Sequence, residues 1–425
     1  MRLPKEIITI ATVAQRMGGR VFLVGGPVRD SLIGYLSPDW DLAVDLRQPT
    51  ANSRQPTAKL KKFLAETARQ LPARFVFHTR FLTATIELKN SDPPKRIDIS
   101  HTRQEFYPHP GSLPIVKPAS IEEDLYRRDF TINAMAVELT PPSAFRLSPS
   151  AFRLIDPYNG QGDLSRRLIR IIHPESFILD PTRIFRGIRF AIRLGYEIES
   201  GTLYLLRKTV REKYPALLTP ERVLYELRCI VKEKEALKIL EAIVHEGVLA
   251  AAWNWQPPDN FLTEVKKVVQ SGLGPEVLYN YLLSVLPVAN SWPITREERE
   301  SRAALENFLK IEKKLQQANK PSKIYQLLKG TPLPALKILT AIKNRSIIKK
   351  IELFLNELNF VQPALKASDL MALGITPGPL MGKITRELLY AKLDKRVSTP
   401  AEELILVKSL LQKVKGRQPT ADSRQ

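Results

Sequence analysis

Apolar and polar positions follow two different rhythms along this chain. Up to about residue 138, short apolar runs of strand length lie between stretches of helical spacing. The pattern predicts a helix over residues 7–17, a strand over 21–24, a helix over 28–33 and a strand over 40–44. A helix over 59–70 and strands over 74–78, 83–88 and 97–99 follow. From Asp163 onward apolar residues recur three and four apart, as in "RIFRGIRFAIRL", "RVLYELRCIV" and "ALKILEAIVHEGVL", the mark of amphipathic helices. The expected fold class is α+β, an α/β head followed by an all-helical remainder. A chain of 425 residues is too long for one simple core, so two to four packed units are expected.

Composition narrows the function classes. No apolar run approaches the roughly 20 residues that a membrane span needs. The opening "MRLPKEIITIATVAQRMGG" is amphipathic and reads as a first helix, without the long apolar core of a secretory leader. Cys229 is the single cysteine, which excludes an internal disulfide and any multi-cysteine zinc site. It fits a reducing compartment, and the cytoplasm is the expected location. The 65 lysines and arginines against 44 acidic residues give a formal charge of +21, which points to a polyanionic partner. Nucleic acid leads, an anionic membrane comes second, and a generally basic surface is the bland alternative. Two repeats look like insertions. "RQPTANSRQPTA" at 47–58 returns as "RQPTADSRQ" at 417–425, and "PSAFRLS" at 142–148 is followed at once by "PSAFRL". Surface loop and frayed tail are the natural readings of the first pair.

The densest chemistry lies in "VGGPVRDSLIGYLSPDWDLAV", residues 24–44. Residues on a strand alternate faces, so Asp39 and Asp41 point one way while Trp40 and Leu42 turn toward packing. Two neighbouring carboxylates repel, and a divalent cation relieves them; magnesium is held by one or two carboxylates together with substrate phosphates. Upstream, Gly25 and Gly26 leave backbone N–H groups open to a phosphate, and Arg29 follows at the start of a helix. Glycines and arginine would grip a triphosphate while the aspartates hold its metal. Asp98, in "RIDIS", is the candidate third catalytic carboxylate, although an ordinary strand-edge acid fits that spacing nearly as well.

These residues resemble the first motif of the class II tRNA nucleotidyltransferase and bacterial poly(A) polymerase family. Further matches follow in order: "RRDFTINAMA" at 127–136, "DPYNGQGDLSRRLIR" at 156–170, "DPTRIFRGIRFAIRLGY" at 180–196 and "PERVLYELRCIV" at 220–231. The segment "LMALGITPGPLMGKITRELLYAKLD" resembles the family's C-terminal region. The resemblance implies a nucleotidyltransferase-superfamily head over 1–138, a helical neck that recognises the base over 139–215, and a helical body over 216–300. A tRNA-binding helical tail over 301–415 and a disordered repeat-like end over 416–425 complete the expected division. It implies template-independent addition of C, A or both from CTP and ATP to the tRNA 3′ end, with Mg2+ as cofactor and Asp39 and Asp41 as its ligands. By motif position Arg128, Asp129 and Asn133 contact the sugar and phosphates of the incoming nucleotide; a surface salt-bridge cluster explains "RRD" equally simply.

In the helix that opens near Pro181, Arg183, Arg186, Arg189 and Arg193 fall within an arc of roughly 120° at 100° per residue, with Ile184, Ile188 and Ala191 away from it. Four arginines without a lysine favour planar recognition of phosphate or base over a merely solvated face. Asp180 before Pro181 is a standard helix opening. The resemblance adds that Asp180 and Arg183 match the pair with which the family reads the base. Leu179 departs from the pattern, since many relatives carry an acid there. Residues 101–130 correspond to the variable loop that influences whether CC, A or CCA is added, and here the loop resembles that of compact partial-sequence enzymes, A-adding ones included. A poly(A) polymerase and a catalytically silent RNA-binding protein are the rival readings, and no protein partner can be inferred.

Overall fold

The computed structural model describes residues 4–35, 40–47, 56–89, 96–140, 153–289 and 291–415. The chain divides into two compact units, Met1–Asp259 and Asn260–Gln425. This single division falls inside the segment 216–300 that the sequence reading treats as one body.

The first unit is built on a sheet. Helix α1 (Lys5–Arg16) leads into β1 (Arg20–Val24), α2 (Gly26–Leu32), β2 (Trp40–Asp45), α3 (Pro56–Gln70), β3 (Ala73–His78), β4 (Thr83–Leu88) and β5 (Arg96–His101). A hairpin of β6 (Arg103–Phe106) and β7 (Ile115–Pro118) precedes α4 (Ile121–Tyr126), and β8 (Ala136–Glu138) and β9 (Leu154–Ile155) close the sheet. Seven strands pair in the order β3-β4-β5-β2-β1-β8-β9, with β2 and β5 parallel and the other neighbours antiparallel.

Alternation explains how one sheet carries both core and chemistry. In "TATIEL" and "RIDISH" every second residue is apolar, and Ala84, Ile86, Ile97 and Ile99 are buried on one face. Thr85 and Asp98 share the opposite face. Toward β1 that second face becomes apolar too: Phe22, Val24 and Ala43 pack with Ile121 and Leu125 of α4. Helix α4 is started by a capping box in which Ser120 and Glu123 satisfy each other's backbone N–H.

The helical part of this unit follows: α5 (Gly160–Arg166), α6 (Ser176–Leu179), α7 (Thr182–Leu194), α8 (Ser200–Arg211) and α9 (Pro220–Val231), then two further helices up to Trp253. Helix α7 leans on the turn after α4. Phe130 meets Phe190 edge-on at 6.0 Å, and a Cβ on Gly187 would lie 3.1 Å from the Phe130 ring. The second unit is helical, with one core around Phe308, Leu315, Leu336 and Ile351 and another around Leu370, Ile384, Leu388 and Val407. Among the described residues no helix is long and apolar enough to cross a membrane.

The α+β class and the order of elements match expectation, and the departures have local causes. The helix expected from residue 28 begins at Gly26, because Gly25 makes the turn at φ 72° and Pro27 suits a first helical turn. Residues 101–130, read as a loop, contain the β6–β7 hairpin and α4. Strand β9 extends the sheet past residue 138, and two residues are too few to show an alternation. A two-residue parallel pair, Leu168–Ile169 with Glu197–Ile198, interrupts the helical stretch after residue 163. Of the "RQPTA" repeat, Pro56 to Ala58 open α3, while 48–55 and 416–425 lie outside the described residues, as do 141–152 of the other repeat.

Candidate active site

A cleft of about 1460 Å³ in the first unit is lined by Gly25, Gly26, Arg29, Asp41, Arg128 and Asp129, by Asn133, and on the α7 side by Asp180, Arg183, Arg186 and Arg189. Eleven of the thirteen residues expected from the sequence therefore share one cavity. Asp98 lines a smaller adjoining cavity of about 330 Å³, which Asp41 and Arg128 line as well. Asp39 lies outside the described residues.

The sheet side is set by register. Asp41 of β2 and Asp98 of β5 are partners in the parallel ladder, so their side chains leave the same face at adjacent strands. Beside them the chain turns at Gly25. A Cβ there would lie 2.8 Å from Nη1 of Arg128 and 3.9 Å from Oδ2 of Asp41, so the glycine lets backbone, guanidinium and carboxylate crowd together. Arg128 is held by Asp124, which is fully buried and also bonds Arg127. The Nε of Arg128 has no hydrogen-bond partner among the described residues.

A chain of bonds links this turn to α7. Arg29 donates from Nε and Nη2 to Asp30 and from Nη1 to the side-chain oxygen of Asn133, at 2.8, 2.6 and 2.7 Å. Asn133 donates to Asp129 at 3.0 Å, and Arg186 donates through Nε to the other Asp129 oxygen at 2.8 Å. Burial alone would raise the Asp129 pKa, but Arg186 and the Asn133 bond outweigh it and hold the pKa down at about 2. Arg29 is thus an internal brace, 3% exposed, beneath the glycine turn.

The expected arginine stripe on α7 is present, and its guanidiniums are engaged. Arg183 donates to Ser176 Oγ and to the Arg127 carbonyl at 2.7 and 2.6 Å. Arg189 lies 3.3 Å from Glu233 and 3.5 Å from Glu226, and Arg193 lies 3.8 Å from Glu233. Burial pushes the Glu226 carboxyl up, against the pull of Arg186 and Arg189. Asp180 fills the capping role: its Oδ1 accepts from the Thr182 backbone N–H at 3.0 Å. The same oxygen accepts from Arg222, which also donates to the Gly111 carbonyl between β6 and β7.

Several partners escaped the sequence reading, Asp124, Arg222 and Glu226 among them. Asp124 was legible, because an acid in the last turn of α4 lies three and four residues before Arg127 and Arg128, which continue that turn, and is placed to pair with both. Arg222 and Glu226 reach the cleft from α9, 42 and 46 positions beyond Asp180, and no local pattern signals that return.

The family implies a divalent metal cofactor. Asp41 and Asp98 supply hard oxygen donors at adjacent ladder positions, which suits a cation that takes its remaining ligands from substrate phosphates. Among the described residues no group of three or more His, Cys, Asp or Glu side chains is placed to hold a metal. The N–H of Gly25, expected to be open to a phosphate, instead donates to the Met135 carbonyl at 3.3 Å, because the turn folds back onto the residue just before β8. A sheet carboxylate, Asp41, beside this glycine turn in a cavity walled by guanidiniums, with Asp98 next to it on the ladder, suits phosphoryl chemistry on a nucleotide, and the class of protein so defined is a nucleotidyltransferase.

Comparison with known proteins carries this further. Residues 21–170 match the poly A polymerase head domain. The A-adding tRNA nucleotidyltransferase of Halalkalibacterium halodurans is 31% identical over 382 residues, covering 87% of this chain and 84% of the relative. That of Geobacter sulfurreducens is 30% identical over 437 residues, covering 95% of this chain, and the chain spans 47% of that longer relative. The structure of the Thermotoga maritima CCA-adding enzyme complexed with tRNA matches with a TM-score of 0.70 at 26% identity, over 96% of this chain and 97% of that one. The chain belongs to the tRNA nucleotidyltransferase family, enzymes that add nucleotides to the tRNA 3′ end.

Proposed function

We infer that this enzyme completes the tRNA 3′ end by adding AMP from ATP. The carrying observation is that Asp180 and Arg183 line the same cleft as Gly25, Arg128 and Asp41. Adenine presents an amino donor beside a ring-nitrogen acceptor, which one carboxylate and one guanidinium satisfy together; guanine and uracil present the reverse order. A wrong base sets donor against donor and acceptor against acceptor on this wall, the kind of mismatch that discriminates by about 10⁴-fold in a closed site. Cytosine has the same order as adenine, so CCA synthesis from CTP and ATP is the second reading. It is favoured by the structural match to a CCA-adding enzyme that covers 97% of this chain with a TM-score of 0.74.

In the reaction the terminal 3′ oxygen of the RNA bonds to the α-phosphorus, the bond to the bridging oxygen breaks, and pyrophosphate leaves. Gly25, Gly26 and Arg128 bind and orient the triphosphate, with Arg29 and Asn133 bracing the turn. Asp129 locks Arg186 and, through it, the reading wall. Asp98 faces the attacking oxygen. Magnesium, held by Asp41 with Asp39, would supply the positive charge that the attacking and leaving oxygens need. Basic helical segments of the second unit, within 301–415, hold the body of the tRNA by its phosphates, and the cytoplasm is where this substrate is met.

The test is incorporation of each labelled nucleotide into tRNA transcripts ending before CCA, after the first C, and after CC. AMP transfer confined to the CC-ended transcript is the expected result. CTP followed by ATP supports full CCA synthesis, and long A tracts on any RNA support a poly(A) polymerase. No extension of any transcript overturns the enzymatic reading.

A further inference from the structure

The strand registers place three polar residues in one row across the sheet: Thr85 of β4 opposite Asp98 of β5, and Asp98 opposite Asp41 of β2. Only the two carboxylates were legible as chemistry in the sequence. Thr85 is 7% exposed, and its hydroxyl donates to Oδ1 of Asp98 at 2.7 Å. Arg96 closes the arrangement from the strand's start, donating through Nε to the same Oδ1 at 3.2 Å and through Nη2 to the Thr85 hydroxyl at 3.3 Å. The Asp98 side chain is itself 47% exposed, so packing alone does not fix its rotamer.

We propose that Thr85 is the positioning residue of the catalytic row: its hydroxyl engages one Asp98 oxygen on the β4 side and thereby turns the other toward Asp41 and the attacking end of the RNA. A buried threonine hydroxyl on a short strand has little freedom, because the branched side chain is stiff about χ1. Arg96, 61% exposed and without packing to fix its own rotamer, reinforces this orientation. The adjoining cavity runs along the same face past Thr83, Thr85, Asp98 and Ser100, so the oriented oxygen borders space for an RNA terminus beside the nucleotide cleft. This inference rests on the assignment of Asp98 made above.

Thr85→Val keeps the shape and removes the hydroxyl; Thr85→Ser keeps the hydroxyl and removes the methyl. With ATP and a CC-ended tRNA, Thr85→Val is expected to lower kcat about 10-fold or more, the usual cost of losing a residue that orients a catalytic ligand. KM for ATP, tRNA affinity by filter binding and the melting temperature should stay near wild type, and Thr85→Ser should restore most of kcat. In the Asp98→Asn background Thr85→Val should cost nothing more, because its effect passes through Asp98. Wild-type kcat in Thr85→Val, or equal loss in the Val and Ser variants, overturns the positioning role alone. An Asp98→Asn enzyme as fast as wild type overturns the Asp98 assignment and this inference with it.

Discussion

The two walls of the cleft solve opposite electrostatic problems. On the sheet wall Asp41 and Asp98 set like charges side by side, with Asp98 about half exposed and met at 3.2 Å by an Arg96 side chain that is itself largely in solvent. On the α7 wall charge is neutralised before any ligand arrives: Arg186 on Asp129, Arg189 on Glu226 and Glu233, Arg222 on Asp180. Neighbouring carboxylates repel one another, and on the proposed assignment a cation that comes with the substrate relieves that repulsion. Buried pairs cost desolvation but fix donors and acceptors in place. On the proposed assignment the reacting wall is completed by cation and triphosphate, whereas the reading wall is fixed in advance, as discrimination between bases requires.

The largest effect that separates the walls is expected at Asp41. Asp41→Asn removes charge while keeping shape, and should lower nucleotide incorporation by roughly 10³-fold, the upper end of what the loss of one preorganised electrostatic partner costs. Melting temperature and tRNA binding should hardly change. Activity close to wild type with this variant would show that the ladder carboxylates are not the reacting ones.

On the other wall Asp129→Asn should act on stability first. It leaves the Arg186 guanidinium, about a third exposed, beside a neutral amide, at a cost of about 2 kcal/mol by denaturant unfolding, the loss of a hydrogen-bonded charge pair. The sign with pH follows from the depressed carboxyl. Asp129 stabilises the fold above its unfolded pKa of roughly 4, and this contribution disappears as pH falls toward about 2. Between those limits the wild type should lose its advantage over Asp129→Asn, and a constant difference across that range would exclude the Asp129 charge as its source.

The same contrast explains what the sequence reveals. On the sheet wall the chemistry lies on strands whose alternation is visible, so "WDLAV" and "RIDIS" announce both the elements and the faces of Asp41 and Asp98. On the α7 wall, periodicity in "RIFRGIRFAIRL" shows that the arginines share a face but not what they touch. Their partners come from elsewhere in the chain: Glu226 from the middle of α9 and Glu233 from just beyond its end, the Arg127 carbonyl from the end of α4. Such pairings are set by tertiary packing. Thr85 was hidden for a related reason, because a threonine in an alternating strand looks like ordinary β-sheet composition until the register is known.

A smaller effect is expected where the reading wall is tied to the β6–β7 hairpin. Arg222 holds Asp180 and the Gly111 carbonyl together, so Arg222→Met removes the charged partner of the carboxylate and leaves it to Thr182 alone among the bonds described above. Loss of a hydrogen bond to a charged group costs about 1.5 kcal/mol, which is about tenfold. The preference for ATP over GTP and UTP should fall by that amount while turnover with ATP changes less. An equal loss for every nucleotide would mean that Arg222 supports folding alone.

The smallest effect tests the seam between the two walls. His173 stacks on Tyr126, the last residue of α4, with ring centres 5.1 Å apart and planes 30° apart. Burial and then the Arg183 guanidinium push its pKa down from 6.5 to about 4, so the ring is neutral in the working enzyme. The unfolded chain takes up its proton first as pH falls, so His173 erodes stability progressively between pH 6.5 and about 4 and adds no further loss below. His173→Phe preserves the stack and removes the titration. Its melting temperature should match wild type in mildly alkaline buffer and exceed it by a few degrees toward pH 4, at about 2–4 °C for each kcal/mol in a unit of this size. Parallel melting curves for the two proteins over that range would show that His173 does not carry the proton-linked loss.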